Sequence, residues 1–237
     1  MKNPRICLPS MITTLPISGY VLAGGHSSRM GTDKSLLPLA GKPLIQHAVA
    51  KLARVCAEVN ILSSNHALAS CAPLVPDIHP DCGPVGGIEA ALAHSPHDWL
   101  LILPVDVPFL PTAILHKWAA EITATGSTTR VAMFSVDGRT QPTVCLIHKQ
   151  IAPSIAAALA LGEFKLLPVL EAAAEVLTLQ HSQPLEQVLS IQPVGLNPDF
   201  LSEITLAELT SQPHWFTNLN TPEDFIRAEA YLDALEP

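Results

Sequence analysis

Residues 21–34 read VLAGGHSSRMGTDK, and the fold and chemistry of this chain are best worked out from this stretch. An apolar run ends at Ala23 and gives way to a loop with two adjacent glycines, Arg29 and Lys34. Such a loop after a strand exposes backbone N–H groups with no Cβ in the way, and its two cations suit a chain of phosphates. The stretch therefore predicts a phosphate-binding loop at the carboxyl end of a first strand.

Neither standard phosphate-loop pattern fits this stretch. Gly25 and Gly31 enclose five residues, and Thr32 stands where the pattern G-x-x-x-x-G-K-[ST] requires lysine. The dinucleotide fingerprint G-x-G-x-x-G is absent as well. An ordinary turn after a strand is the simpler alternative, but such a turn has no use for Arg29 and Lys34 beside two glycines.

The hydrophobic pattern alternates strand and helix along almost the whole chain, which is typical of a mostly parallel sheet covered on both faces. The predicted strands are 17–23, 59–63, a short one ending at Asp77, 99–103, 131–136, 143–147, 176–180 and 215–219. The predicted helices are 43–56, 66–71, 88–94, 112–125, 149–161, 165–174, 200–209 and 221–234. Asp137-Gly138 reads as a hairpin turn, where the sheet departs from parallel order. We predict an α/β fold, a three-layer α/β/α arrangement with a mostly parallel, doubly wound, Rossmann-like sheet and a local antiparallel part.

One domain is expected for a chain of 237 residues. Residues 1–16 lack a periodic apolar pattern and are predicted to be a flexible N-terminal extension. Residues 17–237 then form the single domain. The segment 182–212 is interrupted by prolines and is predicted to be a peripheral insertion.

Composition excludes several classes of partner and location. A net charge of −8 argues against a nucleic-acid partner. No apolar run reaches the ~18 residues of a membrane span, and prolines interrupt any secretory signal. The five cysteines form no C-x-x-C pair, so reduced thiols in the cytoplasm are expected. Three of the thirteen basic residues fall within fourteen positions, at Arg29, Lys34 and Lys42, which favours a small anionic ligand.

The candidate polar residues all follow predicted strands. The glycine loop follows the first strand, Ser63 and Asn65 follow the second, Asp77 ends the third, and Asp106 follows the run 99–103. In open α/β sheets, ligands bind beyond the carboxyl ends of the strands, where the strand order reverses. The topology therefore predicts that these residues gather along one edge of the sheet.

Asp106 is the strongest candidate for a metal ligand. It directly follows a buried strand and lies between Pro104 and Pro108, which orient it and withdraw it in part from solvent. Mg²⁺ binds through one or two carboxylates together with phosphate oxygens. Lys34 and Arg29 would neutralise phosphate charge in the transition state. A capping or loop aspartate is the alternative interpretation of Asp106.

The stretch LAGGHSSRMGTDK resembles the opening signature of the bacterial molybdenum cofactor guanylyltransferases, a family within the wider nucleotidyltransferases. The resemblance continues through Gly41–Leu44, Asp77, Gly83–Gly87, Pro104–Pro108, Gln141–Thr143 and Phe216–Asp224. It implies an enzyme that transfers GMP from GTP to the terminal phosphate of molybdopterin carrying molybdenum, with Mg²⁺ as cofactor and pyrophosphate as the second product. It also implies contacts with other cofactor-biosynthesis proteins, recipient molybdoenzymes or their chaperones.

Carried over by motif, the resemblance assigns roles to residues of this chain. The catalytic residues would be Lys34, Arg29 and Asp106, and Asp106 would hold the metal. The nucleotide would contact Leu22, Ala23, Gly24, Gly25, Lys34, Ser63, Asn65, Asp77 and Asp106. Family position alone suggests Gln141–Thr143 and Lys165 for the pterin. One departure stands out, because the family's second strand usually ends in N-x-N and Ser63 here replaces the first asparagine.

Two other functions remain open on the sequence alone. One is a cytidylyltransferase or another nucleotidyltransferase that acts on a small phosphorylated substrate. The form LAGG favours the guanylyl branch by resemblance, because the cytidylyl relatives favour LAAG. The other is a non-catalytic protein that binds a nucleotide or docks a partner, but such a protein has no need to keep both Lys34 and Asp106.

Overall fold

The computed structural model describes residues 13–24, 33–194 and 204–236. The strands are β1 (Leu15–Leu22), β2 (Pro38–Leu39), β3 (Lys42–Pro43), β4 (Cys56–Leu62), β5 (Leu74–Val75), β6 (Trp99–Pro104), β7 (Val131–Val136), β8 (Arg139–His148) and β9 (Leu189–Pro193). The α-helices are α1 (Leu44–Ala53), α2 (Gly83–His94), α3 (Thr112–Ile122), α4 (Ala152–Ala160), α5 (Leu166–His181), α6 (Leu185–Val188), α7 (Leu206–Thr210) and α8 (Pro222–Ala228). Short 3₁₀ turns cover Lys34–Leu36, His66–Leu68, Lys149–Ile151, Gln212–His214 and Glu229–Ala234.

Seven strands form one sheet in the order β5-β4-β1-β6-β8-β7-β9. Strand β8 is antiparallel to both of its neighbours, and the other neighbouring pairs are parallel. The predicted fold class is confirmed, and the antiparallel part lies at the hairpin that contains Asp137-Gly138. The predicted N-terminal extension lies mostly outside the described residues, although β1 begins at Leu15, two positions earlier than expected.

Helices cover both faces of the sheet, and each face has its own apolar core. On β6, Leu101 and Leu103 pack into the core shared with α1 and α3, while Leu100 and Ile102 pack into the core shared with α2, α4 and α5. Successive side chains of a strand point to opposite faces, so a strand covered on both sides is apolar at every position. This explains the unbroken run Leu100–Leu103, in which each residue is at most 1% exposed.

The sheet brings three loops together at one edge. Leu22, the last residue of β1, pairs with Leu62 of β4 and with Pro104 of β6. The chain runs outward from β1 to β4 and β5, then returns to place β6 on the other side of β1. The loops after β1, β4 and β6 therefore lie side by side at the point where the strand order reverses, which is the usual ligand position in such sheets.

The predicted strand 176–180 is wrong, because these residues belong to α5. Ala173, Ala174 and Leu177 are buried while Val176 and Leu179 are exposed, which is a helical rather than an alternating pattern. The edge strand of the sheet is β9 instead. It lies within the segment 182–212, so the predicted peripheral insertion contributes a strand that pairs in parallel with β7.

The predicted strand 215–219 is also wrong. Residues 215–219 lie between the 3₁₀ turn Gln212–His214 and α8 and pair with no strand. Trp215 is buried and donates its indole N–H to the carbonyl oxygen of Glu208 at 2.9 Å, while the backbone N–H of Leu219 donates to the carbonyl oxygen of Asp106 at 3.1 Å. The apolar residues of this segment are buried because they pack beneath the loop after β6.

The last described residue ties two helices together. Glu236 Oε2 lies 2.9 Å from Lys51 Nζ of α1, and Glu236 Oε1 accepts a 2.8 Å bond from the backbone N–H of Thr112 at the start of α3. Lys51 is only 4% exposed, and its burial lowers its pKa. Burial acts to raise the pKa of Glu236, but the attraction of Lys51 and the bonds from Thr112 outweigh it, so the net shift is downward.

In the described parts of the chain, two cysteines are buried as free thiols and no helix is suited to cross a membrane. Cys56 and Cys145 are free and buried, and burial raises the pKa of both thiols. No helix of 13–24, 33–194 or 204–236 combines the length and hydropathy that a membrane crossing requires.

Candidate active site

A lysine and an aspartate from distant parts of the chain meet at the carboxyl edge of the sheet. Lys34 Nζ lies 2.6 Å from Asp106 Oδ2 and donates a 2.7 Å hydrogen bond to Asn220 Oδ1. Their side chains are 19% and 13% exposed, so the pair is largely shielded from water. The structure thus joins two of the predicted catalytic residues, and Asn220 completes a cluster of three.

One oxygen of the Asp106 carboxylate has no hydrogen-bond partner within the described residues. Its Oδ2 is taken by Lys34, whereas Oδ1 is buried and accepts no hydrogen bond within the described residues. Leaving a buried carboxylate oxygen without a partner costs on the order of 1–3 kcal/mol, so such an atom is unusual in a native site. A bound cation would satisfy it.

The donor set at Asp106 fits Mg²⁺. Magnesium is held by one or two carboxylates together with phosphate oxygens and water, whereas an all-protein cage is uncommon for it. Asp106 Oδ1 supplies such a carboxylate oxygen, and among the described residues no group of three His, Cys, Asp or Glu side chains offers a cage.

Asp33 joins the loop after β1 to the loop after β4. Its Oδ1 accepts a 2.9 Å bond from the backbone N–H of Ser35 and so caps the 3₁₀ turn that begins with Lys34. Its Oδ2 accepts a 2.5 Å bond from Asn65 Nδ2. This bridge fixes the backbone on which Lys34 is carried.

The predicted nucleotide contact Asn65 is engaged within the protein. Besides the bond to Asp33, its Oδ1 accepts a 3.0 Å bond from the backbone N–H of Ala67, and its own N–H donates to Ser63 Oγ at 3.1 Å. Ser63 is buried directly after β4. Its Oγ accepts the bond from Asn65, so its hydroxyl group can still donate a hydrogen bond to another group. The structure therefore places Asn65 as a loop-shaping residue and brings Ser63 to the same edge.

The first residues of the glycine loop lie against β4 and β6. The backbone N–H of Ala23 donates to the carbonyl oxygen of Leu62, and the carbonyl oxygen of Leu22 accepts a 3.1 Å bond from Val105 N–H. Gly24 is exposed, and a Cβ added there would meet the Leu62 carbonyl oxygen at 3.6 Å, an ordinary contact. Packing within the described residues therefore leaves room for alanine at Gly24.

Asp77 lies at the same edge, beside the start of α2. An added Cβ at Gly87 would stand 3.7 Å from Asp77 Oδ1 and 3.4 Å from Leu22 Cδ2, which places Asp77 next to the end of β1. Asp77 is half-buried, and burial raises the pKa of its carboxyl. A half-buried carboxylate beside a glycine-rich helix start can accept N–H groups of a ligand.

Two predicted site residues, Gly25 and Arg29, lie outside the described residues. Their assignments stay predictions. The other predicted positions, from Leu22 to Asp106, all lie on loops or strand ends at the carboxyl edge of β1, β4, β5 and β6.

The sequence alone did not point to Asn220, which belongs to the cluster, or to Asp33, which holds the backbone that carries Lys34. Asn220 lies within Phe216–Asp224, which had been noted as a motif but not as part of the site, and Asp33 lies inside the loop signature itself. The available signal was that both are polar residues inside quoted motifs. Their contacts could not be inferred, because Asn220 is 186 positions from Lys34.

The chain's relationship to known proteins agrees with this geometry. The profile of the MobA-like NTP transferase domain matches residues 19–177, which include Lys34, Asp77 and Asp106. This chain belongs to the MobA-like NTP transferase family.

Curated members of this family are similar over most of their length. A molybdenum cofactor guanylyltransferase of Serratia proteamaculans is 38% identical over 165 residues, which cover 66% of this chain and 80% of that protein. One of Vibrio atlanticus is 29% identical over 219 residues, covering 90% and 96%.

Solved structures of related proteins share the fold. Molybdopterin-guanine dinucleotide biosynthesis protein A of Archaeoglobus fulgidus superposes with a TM-score of 0.68 at 23% identity, covering 92% of this chain and all of that one. The 2-C-methyl-D-erythritol 4-phosphate cytidylyltransferase of Thermus thermophilus gives 0.58 at 14% identity, covering 92% and 100%. At these identities the likeness shows the fold alone.

Proposed function

We propose that this protein transfers GMP from Mg²⁺-bound GTP to the terminal phosphate of molybdopterin carrying molybdenum. An oxygen of that phosphate attacks the α-phosphorus of GTP, the bond from the α-phosphorus to the bridging oxygen breaks, and pyrophosphate leaves. The product is the guanine dinucleotide form of the cofactor. The names of the relatives from Serratia and Vibrio support this acceptor and this nucleotide.

The observation that carries the proposal is the pairing of Lys34 with Asp106. A cation beside a carboxylate with one unpartnered buried oxygen is the set of groups that a nucleoside triphosphate and its metal require. Mg²⁺, when bound at Asp106, supplies neutralisation of phosphate charge. A non-catalytic binding protein would not need this arrangement.

Asn220 also holds Lys34, and this contact keeps the ammonium group positioned during turnover. When Asp106 is engaged by a metal, the 2.7 Å bond to Asn220 still holds the ammonium group in place. The attacking group is already an anion, so the site needs no strong base. Positioning of the two substrates and neutralisation of charge by Lys34 therefore account for most of the rate.

Gly24 supports guanine as the base. Because the protein leaves ordinary van der Waals space for a Cβ at Gly24, packing within the described residues does not require glycine there. A ligand that approaches the backbone at Gly24 would require it. A purine is larger than a pyrimidine, so a Cβ at Gly24 would crowd guanine more than cytosine.

The test is pyrophosphate release with molybdopterin and each nucleotide in turn. We expect kcat/KM for GTP to exceed that for CTP by at least about tenfold, which corresponds to about 1.4 kcal/mol. Equal turnover of CTP would contradict a preference for guanine, and a higher kcat/KM for CTP would make the protein a cytidylyltransferase. No magnesium-dependent turnover with either nucleotide would contradict the proposal altogether.

A matched variant tests the role of Gly24. Gly24→Ala should lower kcat/KM for GTP by about tenfold while leaving the Tm of the protein unchanged, since no described atom blocks the new Cβ. An unchanged kcat/KM for GTP would show that the base does not approach this position.

A further inference from the structure

A cavity of about 220 Å³ lies behind the loop that carries Asp106. Its walls include three aromatic rings, those of Phe109, His214 and Tyr231, and its rim includes Thr217, Asp224 and Arg227. Pockets for drug-sized ligands measure about 300–1,000 Å³, so this cavity suits a single ring system. None of these residues belongs to the predicted nucleotide-binding set.

The aromatic rings are arranged around Tyr231. The ring of His214 lies 4.1 Å from that of Tyr231, tilted by 43°, and the ring of Phe109 meets Tyr231 edge-on at 6.3 Å. Tyr231 has non-helical dihedral angles, φ −124° and ψ 19°, within the 3₁₀ stretch Glu229–Ala234. The kink leaves a half-buried aromatic surface in the cavity, and such surfaces favour flat rings.

Several polar groups of the cavity have no hydrogen bond inside the described part of the chain. These are the ring nitrogens of His214 and the hydroxyl of Tyr231. Asp224 Oδ2 accepts bonds from the backbone N–H groups of Asn220 and Thr221 at 3.0 and 2.9 Å. Asp224 Oδ1 forms an ion pair with Arg227 Nη1 at 3.9 Å, a separation longer than a hydrogen bond.

The Asp224 carboxylate is suited to one kind of ring edge. The backbone bond from Asn220, followed by the smaller effects of Thr221 and Arg227, lowers its pKa, so it is ionised at neutral pH. An ionised carboxylate accepts paired N–H donors strongly. A 2-amino-4-oxopyrimidine ring presents such a pair, its amino group and the adjacent ring N–H.

We propose that this cavity binds the fused 2-amino-4-oxopyrimidine ring of a substrate, with Asp224 accepting its N–H pair and Tyr231 and His214 contacting its face. The inference rests on the proposed function, whose two substrates, a guanine nucleotide and a pterin, both contain this ring. The cavity is a different place from the loop of Ala23 and Gly24.

The cavity is connected to the reacting groups by short contacts. The backbone N–H of Leu219, whose side chain lines the cavity, bonds to the carbonyl oxygen of Asp106 at 3.1 Å. Asp224 bonds to Asn220 N–H, and Asn220 Oδ1 bonds to Lys34 Nζ at 2.7 Å. A ring held at Asp224 is thus one residue and two hydrogen bonds from Lys34, so a phosphate on a short extension of the ring can approach the ammonium group.

The first experiment measures binding of free pterin to the purified full-length protein by quenching of pterin fluorescence. We expect a Kd at or below about 1 mM, and at least tenfold weaker binding to Tyr231→Ala and to His214→Ala. Lumazine, in which a carbonyl replaces the amino group, should also bind at least about tenfold more weakly. Ile226→Ala is the matched control, because Ile226 lies on α8, is 68% exposed and does not line the cavity.

Competition with guanosine distinguishes the two sources of the ring. If guanosine displaces pterin and Tyr231→Ala raises KM for GTP, the cavity receives the nucleotide base, and the placement of guanine at Gly24 is wrong. If guanosine leaves pterin bound and KM for GTP is unchanged in Tyr231→Ala, the cavity receives the acceptor. Where Tyr231→Ala does not fold, Tyr231→Phe replaces it in the measurements of pterin and lumazine binding, because this variant keeps the aromatic ring.

Three results of the binding experiments would overturn the inference. They are no binding of pterin or guanosine at 1 mM, equal binding to wild type and to the cavity variants, and loss of pterin binding in Gln141→Ala alone. The proposed function fails separately, through absence of GMP transfer. GMP transfer by Tyr231→Ala with wild-type KM for both substrates would remove the cavity inference while leaving the proposed function intact.

Discussion

The two carboxylate oxygens of Asp106 have different surroundings. Oδ2 pairs with Lys34, whereas Oδ1 is buried without a partner among the described residues. We expect Asp106→Asn to lower kcat by several orders of magnitude, because an amide is a poor ligand for Mg²⁺ and the carboxylate that pairs with Lys34 is lost. Steady-state pyrophosphate release measures this effect, with Tm as the check on folding. A folded variant whose rate stays within about threefold of wild type would show that Asp106 holds no catalytic metal.

Asn220 is a second partner of Lys34, since its Oδ1 accepts a 2.7 Å hydrogen bond from Lys34 Nζ. We expect Asn220→Ala to lower kcat about ten- to a hundredfold with a smaller change in KM for GTP, because the lysine loses orientation but keeps its charge. Asn218→Ala is the matched control, since Asn218 is exposed two positions earlier. Equal effects of the two substitutions would mean that Asn220 acts only through the surrounding backbone.

At the scale of residues, the sequence predicted Lys34 and Asp106 but not how they are used. Both follow strands of a parallel sheet, so their presence at one edge could be inferred from order alone. The bond from Lys34 to Asn220 could not, because it joins residues 186 positions apart through the packing of 215–219 beneath the loop after β6. The bond from Asn65 to Asp33 could not be inferred either, because it joins two separate loops, and the contact of Asn65 with the nucleotide stays a prediction.

The start of α2 gives a test at the scale of elements. A Cβ at Gly86 would stand 3.0 Å from both Cys82 Cβ and the His79 carbonyl oxygen, whereas at Gly87 the nearest atoms are at 3.4 and 3.5 Å. Gly86→Ala should therefore displace the helix start beside Asp77, lower Tm by several degrees and raise KM for GTP. Gly87→Ala should change Tm less. Thermal denaturation and KM for GTP are measured for both variants. A lower Tm for Gly87→Ala than for Gly86→Ala would contradict the close packing at Gly86.

At the scale of the whole molecule, Glu236 closes the structure over α1 and α3. Glu236→Gln leaves the buried Lys51 charge unpaired and should lower the free energy of unfolding by about 2–4 kcal/mol at pH 7. Glu229→Gln, at an exposed position, should change it by no more than about 0.5 kcal/mol. Urea denaturation measures both. A loss for Glu236→Gln as small as that of the control would show that the pair does not stabilise the fold.

The same contact predicts a pH dependence of stability. The pKa of Glu236 is lowered in the folded state, so its contribution is fully present above its unfolded pKa of about 4.3 and is lost as the pH falls below that value. The difference in unfolding free energy between wild type and Glu236→Gln should therefore be smaller at pH 4 than at pH 7. Urea midpoints at the two pH values test this, and a constant difference would contradict it.

The sequence alone determined the class of fold and the edge of the sheet that carries the site. Periodicity marks buried strands and helices, and the carboxyl ends of parallel strands must meet, so Lys34, Asp77 and Asp106 were placed without a structure. Tertiary structure alone decided the fate of 176–180 and 215–219 and the contacts of Asn220 and Glu236. Short apolar runs fit a strand or a helix equally well, and packing between distant segments depends on three-dimensional shape that no local pattern encodes.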